Sequence, residues 1–480
     1  MSVRSKVKAN DPGLKKLHLV FEPQEYFENN EDSFREFCYD LAKNTHIYYV
    51  LLERRFVRGI DDDRYQKVLN AIARIPNLAE VEIWSVRVPL SFVCGMMSKA
   101  PKLSRITMGM VTIQMTSASI LDCSALSHHP SLEQFCLSDF RVHTAENSDS
   151  TAFNMDSLWE ALGTCPKLAN VEIFSNQSGR TLWSANGLAQ LSHSPCLNQL
   201  TLRRLNLGAE DIFPLAEHLK TRGRQSSLKI LNLAQNRIGD DGSIAIAGAT
   251  NACQIIELDL RDNSLSQEGS VSVLPALLNR NTLLEKLNLS SNKIRDDGGQ
   301  LLAEILENDS LGLQLKYLNI ARVGITDVAG CRLAQALRIN KHLHSLNLAH
   351  NAIANESYVA FGGVLEKHNR TLLDMNLQCD RKNVHLSGCE ALLKAAEENH
   401  FLETISTNLG SSYEVKSAKF GYSTRIRMFL RLNHAGRRRL LGDQQGNRNA
   451  WVEALSSVND DLHAIHYFIS TNPALCQLYE

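Results

Sequence analysis

His463 and His466 stand three residues apart, the spacing at which two imidazoles share one face of a helix. Such a pair could ligate a metal ion, but a metal site needs further ligands, and no cysteine or carboxylate pattern completes one. The pair therefore reads as cap-packing or surface histidines. His342, His344 and His350 fall on one strand and its flanks, where alternation splits them between faces. The acidic run Asp61-Asp62-Asp63 precedes DDRYQKVLNAIARI and fits a helix N-terminus better than a cation site. Carboxylates there accept the backbone donors that the first helical turn leaves unpaired. The chain contains no G-x-x-x-x-G-K-[ST], G-x-G-x-x-G, G-x-S-x-G or H-E-x-x-H. No catalytic, cofactor-binding or metal-binding residue is named, and neither an enzyme nor a small-molecule substrate is expected.

The densest charge is an arginine cluster: Arg425, Arg427, Arg431, Arg437, Arg438 and Arg439. It offers an anion patch for phosphate, nucleic acid or an anionic membrane, or a nuclear-import signal. The competing reading is a solvated helix face whose aliphatic stems lie over apolar neighbours. Few aromatics interleave with these arginines, so stacking of a nucleic-acid strand is not expected. The formal net charge of -1 gives no global field for nucleic acid or membrane. No apolar run approaches the ~20 residues that span a bilayer. The opening MSVRSKVKANDPG lacks the apolar stretch of a secretory signal. Eleven cysteines without a C-x-x-C pair fit reduced thiols, which points to the cytoplasm, or the nucleus.

The elements that would position any site come from an internal repeat. SLKILNLAQNRI, QIIELDLRDNSL, LLEKLNLSSNKI and HLHSLNLAHNAI all fit L-x-x-L-x-L-x-x-N-x-I/L. Their first apolar anchors run Leu228, Ile255, Leu284, Leu315, Leu343, Leu372 and Leu402, at intervals of 27 to 31 residues. Weaker copies are anchored at Leu78, Leu103, Leu132, Leu168 and Leu197, and the first two at Leu14 and Ile47, up to fourteen repeats. Leucines at alternate positions predict a short strand pointing them inward. The asparagine that follows (Asn236, Asn263, Asn292, Asn351) can bond backbone in the turn leaving the strand. The rest of each unit is helical: Leu301, Leu302, Ile305 and Leu306 share a face, as do Cys331, Leu333, Ala334 and Leu337. A strand plus a helix makes a wedge, and stacked wedges curve.

These units resemble the ribonuclease-inhibitor-like subfamily of leucine-rich repeats. That subfamily includes the repeat regions of nucleotide-binding innate-immune receptors and of the activators of the nuclear-transport GTPase Ran. The resemblance implies an α/β solenoid, a horseshoe with parallel strands on its concave face and helices on its convex face. The chain departs from the pattern at Val323, Asp380 and Gly410, and before Leu197 only Asn176 holds the ladder position. A less regular N-terminal half is expected. The divisions read as a cap and degenerate repeats over 1–77, irregular repeats over 78–196 with a loop inserted near 141–157, regular repeats over 197–410, and a helical cap over 411–480. LKTRGRQSS reads as a second polar break, and Ile426, Phe429 and Leu430 as one apolar stripe of the cap.

Concave-face positions lie two, four and six residues after each anchor. In the regular half the fourth gives Asn232, Asp259, Asn288, Asn319, Asn347 and Asn376, a polar row that the repeat consensus itself explains. The N-terminal half places Tyr49, Glu80, Glu82, Trp84, Arg105, Asn170, Glu172, Phe174, Gln199 and Arg203 there. Aromatics and arginine among carboxylates are the composition of protein-binding hot spots. A slip of one residue would instead turn Trp84 and Phe174 into core. The expectation is a non-enzymatic scaffold or adaptor that binds a protein of unidentified kind. The rival is an activator of a Ran-type GTPase, which the resemblance allows. Such activators end in an acidic tail, whereas this chain ends TNPALCQLYE. Inhibition of a basic ribonuclease is disfavoured by the near-neutral charge.

Overall fold

A computed structural model describes residues 2–20, 26, 30–54, 57, 61–115, 126–144, 155–175, 184–278, 283–308, 311, 313–379, 384–407, 416–435, 437, 448–458, 460 and 462–471. The chain forms two units, Met1–Ile255 and Ile256–Glu480.

The first unit carries eleven strands: β1 (Lys16–Leu19), β2 (Tyr49–Glu53), β3 (Glu80–Trp84), β4 (Arg87–Pro89), β5 (Arg105–Gly109), β6 (Thr112–Met115), β7 (Gln134–Ser138), β8 (Arg141–Thr144), β9 (Asn170–Phe174), β10 (Gln199–Arg203) and β11 (Ile230–Asn232). Eight of them lie parallel in the order β1-β2-β3-β5-β7-β9-β10-β11. Burial alternates along each, so that Leu17 and Leu19, Val50 and Leu52, and Val81 and Ile83 enter the core. The two N-terminal repeats are thus formed. Asp61 is the N-cap of the helix Asp62–Ile72 and accepts from the Arg64 amide at 2.8 Å.

Where the ladder asparagine is missing, this unit closes differently from expectation. The ladder positions hold Val86, Val111 and Phe140, all buried. The chain leaving the strand then pairs with its neighbours as a second parallel sheet, in the order β4-β6-β8. Thr112 donates to the Val86 carbonyl and Arg141 to the Val111 carbonyl, each within 2.9 Å. Backbone that asparagine would have satisfied is satisfied by strand pairing. The loop expected near 141–157 is narrower at both ends: Arg141–Thr144 is strand, a helix starts at Asp156, and residues 145–154 lie outside the described residues. LKTRGRQSS is likewise less broken than expected. Its first half completes the helix Ala209–Arg222, and a single 3-10 turn follows at Gly223–Gln225. Asn176, Asp380 and Gly410 lie outside the described residues.

The second unit carries β12 (Glu257–Asp259), β13 (Lys286–Asn288), β14 (Tyr317–Asn319), β15 (Ser345–Asn347), β16 (Asp374–Asn376) and β17 (Thr404–Ser406), parallel in that order. Here the asparagine ladder is present. Asn292 accepts from the amides of Asn263 and Leu265 at 3.0 and 3.1 Å, and donates to the carbonyls of Leu260 and Leu289 at 3.0 and 2.9 Å. Asn351 repeats this with Val323 and Ile325 and with Ile320 and Leu348. Leu302, Leu306, Leu333 and Leu337 are buried as their spacing predicts, whereas Leu301 and Cys331 are only half-buried at the edge of the stripe.

A second ladder runs on the other side of the same stack. Asn369 donates to the Leu337 and Asn340 carbonyls at 2.7 and 3.1 Å, and Asn399 to those of Leu365 and Asn369 at 2.9 Å each. Each then accepts from the amides two and three residues on, which sets the entry to the next strand. Asn433 extends the series from the cap helix Lys416–His434 to the Asn399 and Leu402 carbonyls. Helices Arg448–Ser457 and Leu462–Thr471 follow, and Ile426, Phe429 and Leu430 are buried as read from the stripe. The side chain of His463 lies outside the described residues.

Candidate functional site

The aromatic, arginine and carboxylate positions of that list, Tyr49, Glu80, Glu82, Trp84, Arg105, Glu172, Phe174 and Arg203, fall on the solvent side of one sheet in the first unit. Strand alternation places them there: each stands next to a buried apolar residue of its own strand, and Glu82 and Glu172 stand between two. Trp84 and Phe174 are half-buried on the outward face, so the slip that would have made them core has not occurred. Parallel pairing in register then lines equivalent positions of successive repeats into rows. Tyr49, Glu80, Arg105, Gln134, Asn170 and Gln199 form the first row. Leu51, Glu82, Thr107, Cys136, Glu172 and Thr201 form the second. Glu53, Trp84, Gly109, Ser138, Phe174 and Arg203 form the third.

Within these rows the side chains are partly satisfied by one another. Arg105 pairs with Glu80 at 3.6 Å, and the Gln199 amide donates to Glu172 at 3.1 Å. The Arg105–Glu80 pair is solvent-exposed enough to exchange for a partner at little cost. Phe174 is covered by its own chain: the guanidiniums of Arg203 and Arg204 lie 5.1 and 5.7 Å from its ring centre. Arg203 also donates to the Gln235 side chain at 2.8 Å. Burial, then Glu82, Glu80 and Glu53, push the Tyr49 phenol up to about 12, so it stays a neutral hydrogen-bonding group. Burial, with Glu172 beside it, pushes the Cys136 thiol up to about 11 and leaves it unreactive at neutral pH.

One residue that composition did not single out shapes this face. A Cβ on Gly109 would stand 2.0 Å from the Trp84 ring. The indole lies down on the neighbouring strand only because that strand offers a glycine in the same row. Row partners can be found from the sequence by reading equivalent positions across repeats, and Gly109 is the one gap in a row of side chains.

The polar row of the second unit has a different job. Asp259, Asn288, Asn319, Asn347 and Asn376 each accept, through Oδ1, the amide two residues ahead at 2.9 to 3.1 Å. They turn the chain at the end of every strand. Neighbouring strand positions pair internally, Lys286 with Glu257 at 2.6 Å and Lys316 with Glu285 at 2.9 Å.

The arginine cluster is dispersed by the fold. Arg437 is 4% exposed and donates to the Ala396 and Glu397 carbonyls and to the Tyr467 hydroxyl. It also stacks between Phe429 and Tyr467, at 5.0 and 5.1 Å. Burial and these bonds remove it from any patch facing solvent. Arg425 pairs with Glu397 at 2.7 Å, Arg431 pairs with Asp460, and Arg427 bonds the Ser423 carbonyl. Arg438 and Arg439 lie outside the described residues. Among the described residues no three or more His, Cys, Asp or Glu side chains converge to hold a metal, and no helix is long and apolar enough to cross a membrane.

A family model described as Leucine Rich repeat matches residues 224–247, 280–303 and 340–362. The NACHT, LRR and PYD domains-containing protein 13 of Homo sapiens is 26% identical over 320 residues, covering 62% of this chain and 30% of that protein. The ribonuclease inhibitor of Sus scrofa is 28% identical over 229 residues, 46% of this chain and 48% of that protein. The chain therefore spans less than half the length of both. An internalin from Listeria monocytogenes is similar at 17% identity and a TM-score of 0.42, over 78% of this chain and 83% of that one.

Proposed function

We propose that this chain, whose repeats are similar to those of the ribonuclease inhibitors, is a non-enzymatic leucine-rich-repeat scaffold whose first unit binds a protein through its strand face. The observation that carries this reading is the pair of aromatic rings, Trp84 and Phe174, held outward among exchangeable charges. A half-exposed indole on the outer side of a strand adds little to the fold, yet it supplies large, rigid contact area to a partner. Tyr49, Glu80, Glu82, Arg105, Glu172 and Arg203 surround the rings and would set orientation and specificity. The polar row of the second unit is occupied with turning its own chain and contributes less.

Affinity capture from a cell lysate tests this, comparing wild type with a variant in which Glu82, Trp84 and Arg105 are all alanine. Loss of specific partners in the variant, with unchanged thermal unfolding, is the expected result. Retention of every partner would move the binding site off this face. Recovery of a small GTPase whose hydrolysis the chain accelerates would replace the scaffold reading with that of an activator.

A further inference from the structure

We propose that Trp84, Glu53, Glu82 and Met110 form a seat for a lysine or arginine side chain presented by the bound protein. The inference rests on the binding reading above and adds the chemistry of the group that is bound.

The two outward rings of the third row are in opposite states. Phe174 already has a cation over it, since Arg203 lies 5.1 Å from its centre. Among the described residues no cation lies over Trp84, although indole is the aromatic face that attracts cations most strongly. The six-membered end of the indole fills the space that a side chain at Gly109 would take, and Trp84 as a whole stays half-buried on the outward face. Carboxylates stand at its edge. Glu53 is its register partner on β2, and Glu82 accepts its Nε1–H at 3.4 Å.

Charge bookkeeping on this face favours an incoming cation. Glu80 has Arg105 within 3.6 Å, whereas Glu53 and Glu82 form no ion pair among the described residues. Glu82 is oriented by hydrogen bonds from the Trp84 indole and the Tyr49 hydroxyl, which leave its charge in place, and Glu53 stands opposite Trp84 in register on β2. Beside them Met110 is 56% exposed, next to Gly109 in the sequence and within 4.0 Å of the Ser85 hydroxyl. A flexible thioether at that place would pack on the methylene stem of a long cationic side chain, as a bare metal ion could not use it. Ring, paired acids and apolar rim together match the shape of lysine or arginine.

The test follows the Trp84 indole N–H resonance, assigned by its disappearance in Trp84→Phe, during titration with Gly-Lys-Gly-Lys-Gly and with Gly-Gln-Gly-Gln-Gly. The lysine peptide should move that resonance saturably, with affinity at least about fivefold above the glutamine peptide. Raising the salt to roughly 1 M should abolish the difference. The isosteric pair Glu53→Gln and Glu82→Gln, which leaves packing intact, should weaken the lysine peptide about tenfold. Equal response to both peptides, or indifference to the two glutamine substitutions, overturns the seat. If the peptides fail while Trp84→Ala still releases the captured partners, the seat is wrong and the binding face stands. If Trp84→Ala releases nothing either, the face is wrong as well.

Discussion

The outward strand faces of the two units are built from the same backbone pattern and do different work. In the second unit Asp259, Asn288, Asn319, Asn347 and Asn376 spend their side-chain oxygens on the turn that follows, and the adjacent charges pair with one another. In the first unit the equivalent positions of β3, β5 and β7 hold Glu82, Thr107 and Cys136, and the turn after each is secured instead by β4, β6 and β8, while Asn232 on β11 keeps the second unit's pattern. Moving the turn's hydrogen bonds from side chains to a second sheet frees the strand positions to carry other chemistry. The difference teaches that loss of a consensus residue need not loosen a repeat. It can release a surface.

The largest perturbation tests the shared backbone. Leu289→Asp places a charge at a fully buried position and should cost more than about 5 kcal/mol, enough to leave the second unit unfolded in urea titration. A soluble, fully stable variant would refute the register. Asn292→Ala strands two amides and two carbonyls and should cost about 3 kcal/mol by the same measurement. The converse exchange, Val111→Asn, restores the consensus in the first unit. It should nevertheless destabilise by roughly 2 to 3 kcal/mol, because the backbone groups it would bond are already paired. A stabilised Val111→Asn would erase the distinction between the units. Gly109→Ala should lift the Trp84 indole and weaken partner binding by about 2 kcal/mol, close to the effect of Trp84→Ala, with little change in stability.

The smallest effect expected is a pH dependence. Burial, then His193 and Arg222, lower the His218 imidazole below its ordinary value of 6.5. The unfolded chain therefore takes up this proton first, and stability falls as pH drops below about 6.5. His218→Gln should flatten that acid limb of the first unit in thermal unfolding between pH 7 and 5. An unchanged limb would place the acid sensitivity elsewhere.

Much of this was legible in the sequence. The alternating leucines fixed strand positions because inward and outward residues differ so sharply in hydrophobicity, and even the weak HIYYVLL repeat followed the rule. What stayed hidden has physical reasons. The second sheet is announced only by short patterns such as Val86-x-Val88 and Val111-x-Ile113, too brief to distinguish from core loops. The second asparagine ladder does carry a signal, an asparagine three residues before the anchor, as in Asn340 and Leu343 or Asn369 and Leu372. It escapes notice because the consensus strand draws the eye to the later asparagine. In the first unit His129 takes that place, accepting from the amides of Ser131 and Leu132 through Nδ1, which no residue-type pattern would reveal. Of the candidate site, side-chain direction was readable and lateral neighbours were not. Gly109 under Trp84 and Arg203 over Phe174 emerge only when repeats are set side by side.

Both asparagine ladders of the second unit run backward, each later repeat bonding the carbonyls of the one before it. This gives the stack a direction. A repeat detached at the C-terminal end carries away the asparagines that bond the carbonyls it leaves behind, so reattachment is templated by the repeat still in place. Arg437, which follows the cap helix in the chain and donates to the Ala396 and Glu397 carbonyls, then acts as a latch. Under a pulling force applied from the C-terminus, the last helix and its Tyr467 would leave first, the grip of Arg437 and Asn433 next, and the repeats behind them singly, in reverse order of the chain.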